Sequence, residues 1–189
     1  MKPNLLATFY SKEGNTLGWI KCIALRIVDG DTIKVKVVET FKNKEFYISQ
    51  CLRVRLAGID TPEINHFDES LSMPFAFEAR EFVCDFLKFS EDFEENEISS
   101  NSCVFDVFAV KRDQYDRILA FLFVNNKMLN MHLLYNGYAE LYEGPDAQYY
   151  NYSKWLKVAL SIGVYYKKGI YGMEKRESTM EYKKRLKYN

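Results

Sequence analysis

The sequence predicts an α+β protein that is mainly a five-stranded Greek-key barrel of the OB type, with about three helices and a C-terminal helical extension. Two observations support this class. Five apolar segments have strand-like patterns, and a helical pattern interrupts them once. A longer helical pattern follows the last of these strands. With 189 residues, the chain is long enough for one such domain to bury its own core.

The first three strands are predicted as a meander. Residues 19–28 are apolar, residues 29–32 read Asp-Gly-Asp-Thr, and apolar residues then alternate with lysines over 33–37. An Asp-Gly turn between such runs is a strong hairpin signal. After a polar turn at 41–45, residues 46–59 are predicted to return as the third strand.

The rest of the chain alternates helical and extended patterns. Apolar residues at helical spacing or in short β-type runs define each element, and Gly, Asn and polar turns separate them. The predicted order is helix 75–89, strands 103–110 and 118–124, helix 130–135, a brief strand 138–142, helix 149–166 and a last short helix 178–187.

Three segments are predicted in the domain organisation. Residues 1–17 form a loose N-terminal segment, 18–173 one domain, and 174–189 a basic C-terminal extension. Because 26 basic residues balance 26 acidic ones, the chain has no global basic field, and polyanion binding must come from local patches. The basic end either packs across an acidic loop at 90–102 or contacts phosphates directly.

The cysteines and the hydropathy pattern bear on the type of site and on location. Four cysteines lie far apart without a C-x-x-C pair, which disfavours a zinc site and indicates reduced thiols in an intracellular protein. No apolar run reaches membrane-spanning length, and no signal-peptide core begins the chain. We therefore expect a soluble monomer without a membrane span, in the cytoplasm or in an organelle such as the mitochondrion.

The stretch from Leu52 to Glu63 carries the most chemistry. Apolar residues alternate with arginines up to Leu56, which predicts a strand with Arg55 on its wet face. Pro62 forces an extended exit, so Asp60 and Glu63 should project from an edge of the fold. One arginine and two acids at a rigid strand end suit a phosphate and a metal, although the stretch taken alone is more typical of a polar strand end with a surface ion pair.

Two further strand ends add the same chemistry. Asp31 lies in the turn after the first strand, and Arg117 precedes the predicted strand 118–124 after a polar turn. Carboxylates are ligands that Ca²⁺ or Mg²⁺ prefers, and two arginines can hold a phosphate. A carboxylate that holds no metal can orient water or take its proton. Together these are the parts needed to hydrolyse a phosphodiester.

Three segments resemble, in order, the signatures of the staphylococcal nuclease (thermonuclease) family. They are residues 29–32, 55–63 and 113–120, and the resemblance extends from about Ile23 to Tyr171. Within the family the chain is most similar to the fungal mitochondrial-membrane nuclease-like branch. That similarity rests on residues 66–67, 73–75, 141–144, 167–171 and 181–185.

The resemblance implies an OB-fold barrel that cleaves DNA and RNA with Ca²⁺ and leaves 3′-phosphate ends. By the same resemblance, Asp31 and Asp60 are metal ligands and Thr61 supplies a backbone carbonyl to the ion. Glu63 acts as general base or positions the water.

The resemblance also assigns the phosphate contacts, and it shows departures from the family pattern. Arg55 and Arg117 would grip the scissile phosphate, and Tyr115 would lie beside the nucleotide. The glycine usual before the last arginine is Asp116, which should add negative charge near Arg117, and the lysine often found before the tyrosine is Gln114. We also expect no membrane anchor of the kind found in the fungal branch.

A second function class stays open. Barrels of this family also occur as non-catalytic nucleic-acid or protein-binding modules, and OB barrels bind single strands through aromatic and basic surfaces. A pure binder has no need for Asp31, Asp60 and Glu63 together with both arginines, so the sequence favours an enzyme.

Overall fold

A computed structural model describes residues 17–41, 45–90, 103–144 and 147–187. The predicted N-terminal segment, apart from Leu17, and residues 91–102 of the predicted acidic loop lie outside the described residues. The predicted boundaries at 17/18 and 173/174 stay predictions.

A closed barrel forms the centre of the structure, which confirms the predicted fold class. The strands are β1 (Gly18–Asp29), β2 (Thr32–Thr40), β3 (Cys51–Leu56), β4 (Ile59–Asp60), β5 (Phe105–Arg112), β6 (Ile118–Val124), β7 (Lys127–Met128) and β8 (Glu140–Leu141). Neighbours in the order β3-β2-β1-β5-β6 pair antiparallel. A parallel pairing of β3 with β6, from Val54↔Ile118 to Leu56↔Ala120, closes the barrel.

Four helices lie around the barrel in the described part of the chain. They are α1 (Ala76–Leu87), α2 (Leu129–Tyr135), α3 (Ser153–Tyr165) and α4 (Thr179–Lys187). α1 packs on β1, and α2 packs on α3 and β6. Each of the first three buries one apolar stripe, as the helical spacing predicts. No helix among the described residues is long and apolar enough to cross a membrane.

The third strand is shorter than predicted, and the difference matters for the site. It covers Cys51–Leu56 and not 46–59, and it ends at Leu56 because Gly58 adopts φ +74° and turns the chain. Ile59 and Asp60 then form a separate short ladder with Glu140 and Leu141. The turn therefore moves the backbone of Asp60 out of the barrel ladder and into this second ladder.

Candidate active site

The turn between β1 and β2 places Asp31 in a buried position. Asp31 is only 1% exposed. Its carboxylate accepts hydrogen bonds from the Thr61 backbone N–H at 3.1 Å and from the Thr32 hydroxyl at 3.0 Å. Asp29 accepts from the Asp31 backbone N–H at 3.2 Å, so the first acid of the turn caps its own backbone. These bonds join the turn to the exit of β4.

Arg55 lies between two carboxylates and is not on a wet face. It is 9% exposed, and its guanidinium contacts Asp31 through Nη1 and Asp60 through Nη2. The antiparallel register sets Arg55 opposite Thr32, next to Asp31 along the chain. The predicted solvent exposure of Arg55 was wrong, because strand alternation alone does not reveal that the β1–β2 turn and the β4 exit cover this face.

Glu63 lies beside this cluster and pairs with the C-terminal helix. Its carboxylate is 2.7 Å from the Lys183 Nζ, and the same Nζ is 3.6 Å from Asp60 Oδ1. The Glu63 side chain is 25% exposed, so it is the most accessible of the three acids. Its backbone carbonyl accepts from Met73 N–H at 3.0 Å, which fixes the loop that follows Pro62.

Arg117 and Tyr115 form a second group around Asp113. Arg117 donates from Nε to Asp113 Oδ2 at 2.8 Å, and the backbone N–H groups of Arg117 and Tyr115 donate to Asp113 Oδ1. The Arg117 guanidinium lies 5.4 Å from the centre of the Tyr115 ring. Partial burial alone would raise the pKa of Asp113, but the hydrogen bonds from Arg117 and Tyr115 outweigh it and lower that pKa.

The two groups lie along the same parallel strand pair without a described contact between Arg117 and the Asp31–Arg55–Asp60 cluster. Val54 pairs with Ile118, so Arg117 lies at the start of β6, next to the position of Arg53. Arg53 Nη2 donates to the Tyr115 carbonyl at 2.7 Å and links the second group to β3. The structure therefore collects five of the predicted residues at the β1–β2 turn and β4 exit, and the other two at the β5–β6 turn.

Asp116 has a backbone conformation that glycine adopts easily, which explains why the family pattern usually has glycine at this position. Its φ is +59°, in the left-handed region that glycine adopts freely and that Asp tolerates better than most residues. Its carboxylate pairs with Arg112 Nη1 at 2.7 Å. The charge expected to disturb Arg117 is therefore paired with a different arginine.

Two residues of this region were missed by sequence reasoning. Lys183 belongs to the predicted basic extension 174–189, and its charge alone does not indicate a contact with Glu63. Asn130 is fully buried, donates to the Ala57 carbonyl at 2.9 Å and accepts from Leu122 N–H at 3.2 Å, so it holds the turn between β3 and β4. A single Asn in an apolar helix gives no pattern from which such a role could be read.

The carboxylates of Asp31 and Asp60 are oxygen donors of the type that a hard cation prefers, but they supply only part of a coordination shell. Within the described ranges, no three His, Cys, Asp or Glu side chains are grouped so as to hold a metal ion. Asp31 and Asp60 offer two carboxylates beside one guanidinium. The Thr61 carbonyl, the third donor predicted from the family resemblance, accepts from the Thr179 hydroxyl at 3.5 Å. Ca²⁺ accepts such oxygen ligands and commonly completes its shell with water.

Gly30 is expected to be required for this geometry. A Cβ at Gly30 would lie 2.8 Å from Thr61 Oγ1 and 2.9 Å from Ala79 Cβ, which are closer than side-chain carbons normally approach. Gly30→Ala should therefore destabilise the protein by about 1–3 kcal/mol through overpacking, as measured by urea unfolding. Ala79→Gly removes one of the obstructing methyls, so Gly30→Ala should cost less in that background. Equal costs in both backgrounds would contradict this cause.

The comparison with protein families decides the classification. The family described as "Staphylococcal nuclease homologue" matches residues 53–161, more than half of the chain. The chain belongs to the staphylococcal nuclease family. The matched range includes both arginines, Asp60, Thr61 and Glu63, whereas Asp31 precedes it and is tied to the site by its contacts in the structure.

Several relatives of this nuclease-family chain are fungal and archaeal. An uncharacterised protein of Methanocaldococcus jannaschii is 33% identical over 128 residues, which are 62% of this chain and 57% of the relative. A protein of Podospora anserina named probable endonuclease LCL3 is 31% identical over 168 residues, 77% of this chain and 56% of the relative. A protein of Schizosaccharomyces japonicus named probable endonuclease lcl3 is 29% identical over 157 residues, which are 77% of this chain and 60% of the relative.

The fungal matches confirm the predicted similarity to that branch of the family. The chain spans between 56% and 60% of the length of these three relatives.

Proposed function

We propose that this chain is a Ca²⁺-dependent endonuclease that hydrolyses phosphodiester bonds of DNA, RNA or both and leaves 3′-phosphate ends. The observation that carries the proposal is the buried Asp31–Arg55–Asp60 cluster with Glu63 beside it, in a chain of the staphylococcal nuclease family. Two relatives named probable endonucleases support the same reaction class.

The metal-binding part of the proposal uses three residues. Asp31 and Asp60 would hold the ion by their carboxylates, and Thr61 by its backbone carbonyl. When bound, Ca²⁺ would neutralise charge on a phosphate oxygen. Thr61 also anchors Asp31, because its backbone N–H donates to the Asp31 carboxylate.

The remaining roles belong to side chains that can move protons or bind phosphate. Glu63, the most accessible acid, would orient the attacking water or take its proton. Arg55 and Arg117 would hold the scissile phosphate by charge-assisted hydrogen bonds. Tyr115 is 61% exposed beside Arg117, where its ring can stack on a base.

A cleavage assay with and without chelator tests the metal requirement. Wild-type protein should cleave a labelled single-stranded or double-stranded oligonucleotide with Ca²⁺ and lose this activity in EGTA, and end analysis should give 3′-phosphates. Asp31→Asn keeps the shape of the side chain but removes a charge, so it should raise the Ca²⁺ concentration needed for half-maximal activity. Asp85→Asn, which removes the same charge from an exposed position on α1, is the matched control and should leave the Ca²⁺ requirement unchanged. Full cleavage in chelator would refute the metal requirement.

A non-catalytic binding module is the second candidate, and one observation favours it. The site acids already have internal cations, since Arg55 contacts two of them and Lys183 the third. A protein that binds oligonucleotides but cleaves none with Ca²⁺, Mg²⁺ or Mn²⁺ would support this candidate.

A further inference from the structure

Lys183 brings a second cation, beside Arg55, to the acids of the candidate active site. Its Nζ lies 2.7 Å from Glu63 Oε1 and 3.6 Å from Asp60 Oδ1. In the described part of the structure, Lys183 is the only ionic partner of Glu63. The contact therefore involves Glu63, which is proposed to orient the water, and Asp60, which is proposed to hold the ion.

The helix that carries Lys183 begins at a defined point. Ser178 and Glu181 form a capping box, in which Ser178 N–H donates to Glu181 Oε2 at 2.8 Å and Glu181 N–H donates to Ser178 Oγ at 3.2 Å. Arg176 pairs with Glu140 at 3.3 Å, and Thr179 N–H donates to Glu140 Oε1 at 2.7 Å. The start of α4 is thus joined to β8, the partner strand of Asp60.

Buried side chains hold the same helix against the loop that follows Glu63. Thr179 and Tyr182 are each 2% exposed, and the Tyr182 hydroxyl donates to the Leu71 carbonyl at 2.9 Å. Undocking α4 would expose both residues and break this bond. A segment built to leave the site readily would not bury such groups, so these contacts favour Lys183 as a permanent member of the site over a removable lock.

The charges at the site remain compatible with a cation. Three acids, Asp31, Asp60 and Glu63, face the two cations Arg55 and Lys183, so the cluster keeps one net negative charge. Lys183 repels a divalent ion bound at Asp60, because like charges this close interact unfavourably. Its presence should weaken ion binding without preventing it.

We propose that Lys183 is a positioning residue that holds the Glu63 carboxylate in one orientation, and that it also sets the affinity of the site for divalent cations. The inference rests on the proposed function. A partly exposed glutamate without a partner samples several rotamers, whereas an ammonium group 2.7 Å away restricts it. The restricted carboxylate can then orient water during each turnover.

The test compares Lys183→Met with Lys184→Met in the full chain. Both variants remove one positive charge from α4, but Lys184 is exposed and has no described ion pair with the site acids. Turnover would be measured on a labelled single-stranded DNA oligonucleotide, and the Kd for Ca²⁺ by calorimetry without nucleic acid. Lys183→Met should lower kcat by about tenfold with little change in KM, and bind Ca²⁺ several-fold more tightly. Lys184→Met should resemble wild type in both measurements.

Further variants separate positioning from packing. Lys183→Arg keeps a cation that binds carboxylates, so it should recover part of kcat that Met does not. Tyr182→Phe removes only the hydrogen bond to Leu71 and should lower kcat less than Lys183→Met does. If the Lys183 stem acted by packing alone, Met would serve as well as Arg.

Three outcomes would overturn the inference. A higher kcat in Lys183→Met than in wild type would mean that Lys183 blocks the site. An unchanged kcat would exclude positioning, whatever the Ca²⁺ affinity. A Ca²⁺ Kd equal to that of Lys184→Met would exclude the effect on the ion. Absence of cleavage by wild-type protein would refute the proposed function instead, and the Ca²⁺ affinities would then decide whether Lys183 acts at the acids.

Discussion

Glu63→Gln should lower kcat for oligonucleotide cleavage by about 10²- to 10⁴-fold, the usual cost of losing a general base. The amide keeps the size of the side chain and can still accept a hydrogen bond from Lys183, but it cannot take a proton from water. Because Glu63 is partly exposed and holds no buried partner, the variant should fold normally and bind single-stranded DNA as wild type does.

Glu69→Gln is the matched control for this prediction. Glu69 is an exposed acid in the short 3₁₀ turn that follows the same loop, so its replacement changes the net charge equally. It should leave kcat near the wild-type value. A Glu63→Gln variant that cleaves at the wild-type rate would show that another group activates the water.

Arg55→Met should destabilise the protein by about 3–5 kcal/mol, because it leaves Asp31 and Asp60 buried without their shared cation. In a chain of this size, such a loss corresponds to a fall in Tm on the order of 10 °C. Arg53→Met is the matched control on the same strand. Arg53 is exposed and donates one hydrogen bond to the Tyr115 carbonyl, so its loss should cost far less.

Two additional measurements test the cause of that destabilisation. Asp60→Asn in the Arg55→Met background removes a buried charge that has lost its nearest cation, so the double variant should be more stable than Arg55→Met alone. Ca²⁺ should raise the Tm of Arg55→Met more than that of wild type, because binding to two carboxylates that lack their shared cation stabilises the folded state. If Asp60→Asn is equally harmful in both backgrounds, the ion pairs are not the cause.

The acids and arginines proposed for the reaction could be named from the strand ends because these motifs are local, whereas the roles of Thr61 and Tyr115 came only from the family resemblance. Each motif is a turn or strand end whose composition dictates its backbone, such as Asp-Gly after an apolar strand or Thr-Pro after Ile59-Asp60. The two long strands of the first hairpin, the strands of the β5–β6 pair and the helices followed from hydrophobic periodicity for the same reason. The end of the third strand depends on the positive φ of Gly58, which hydrophobic periodicity does not specify.

The sequence by itself thus determined the barrel class, the family and the chemical types available at the strand ends. Only the tertiary structure decided which of the side chains at these strand ends are in contact. Arg55 is buried because two segments from elsewhere in the chain cover its face of the strand. The alternation of residue types within one strand does not indicate whether other segments cover that face. Lys183 reaches Glu63 because the buried side chains of Thr179 and Tyr182 dock α4 on the rest of the domain. This contact joins residues far apart in the sequence, so no local pattern predicts it.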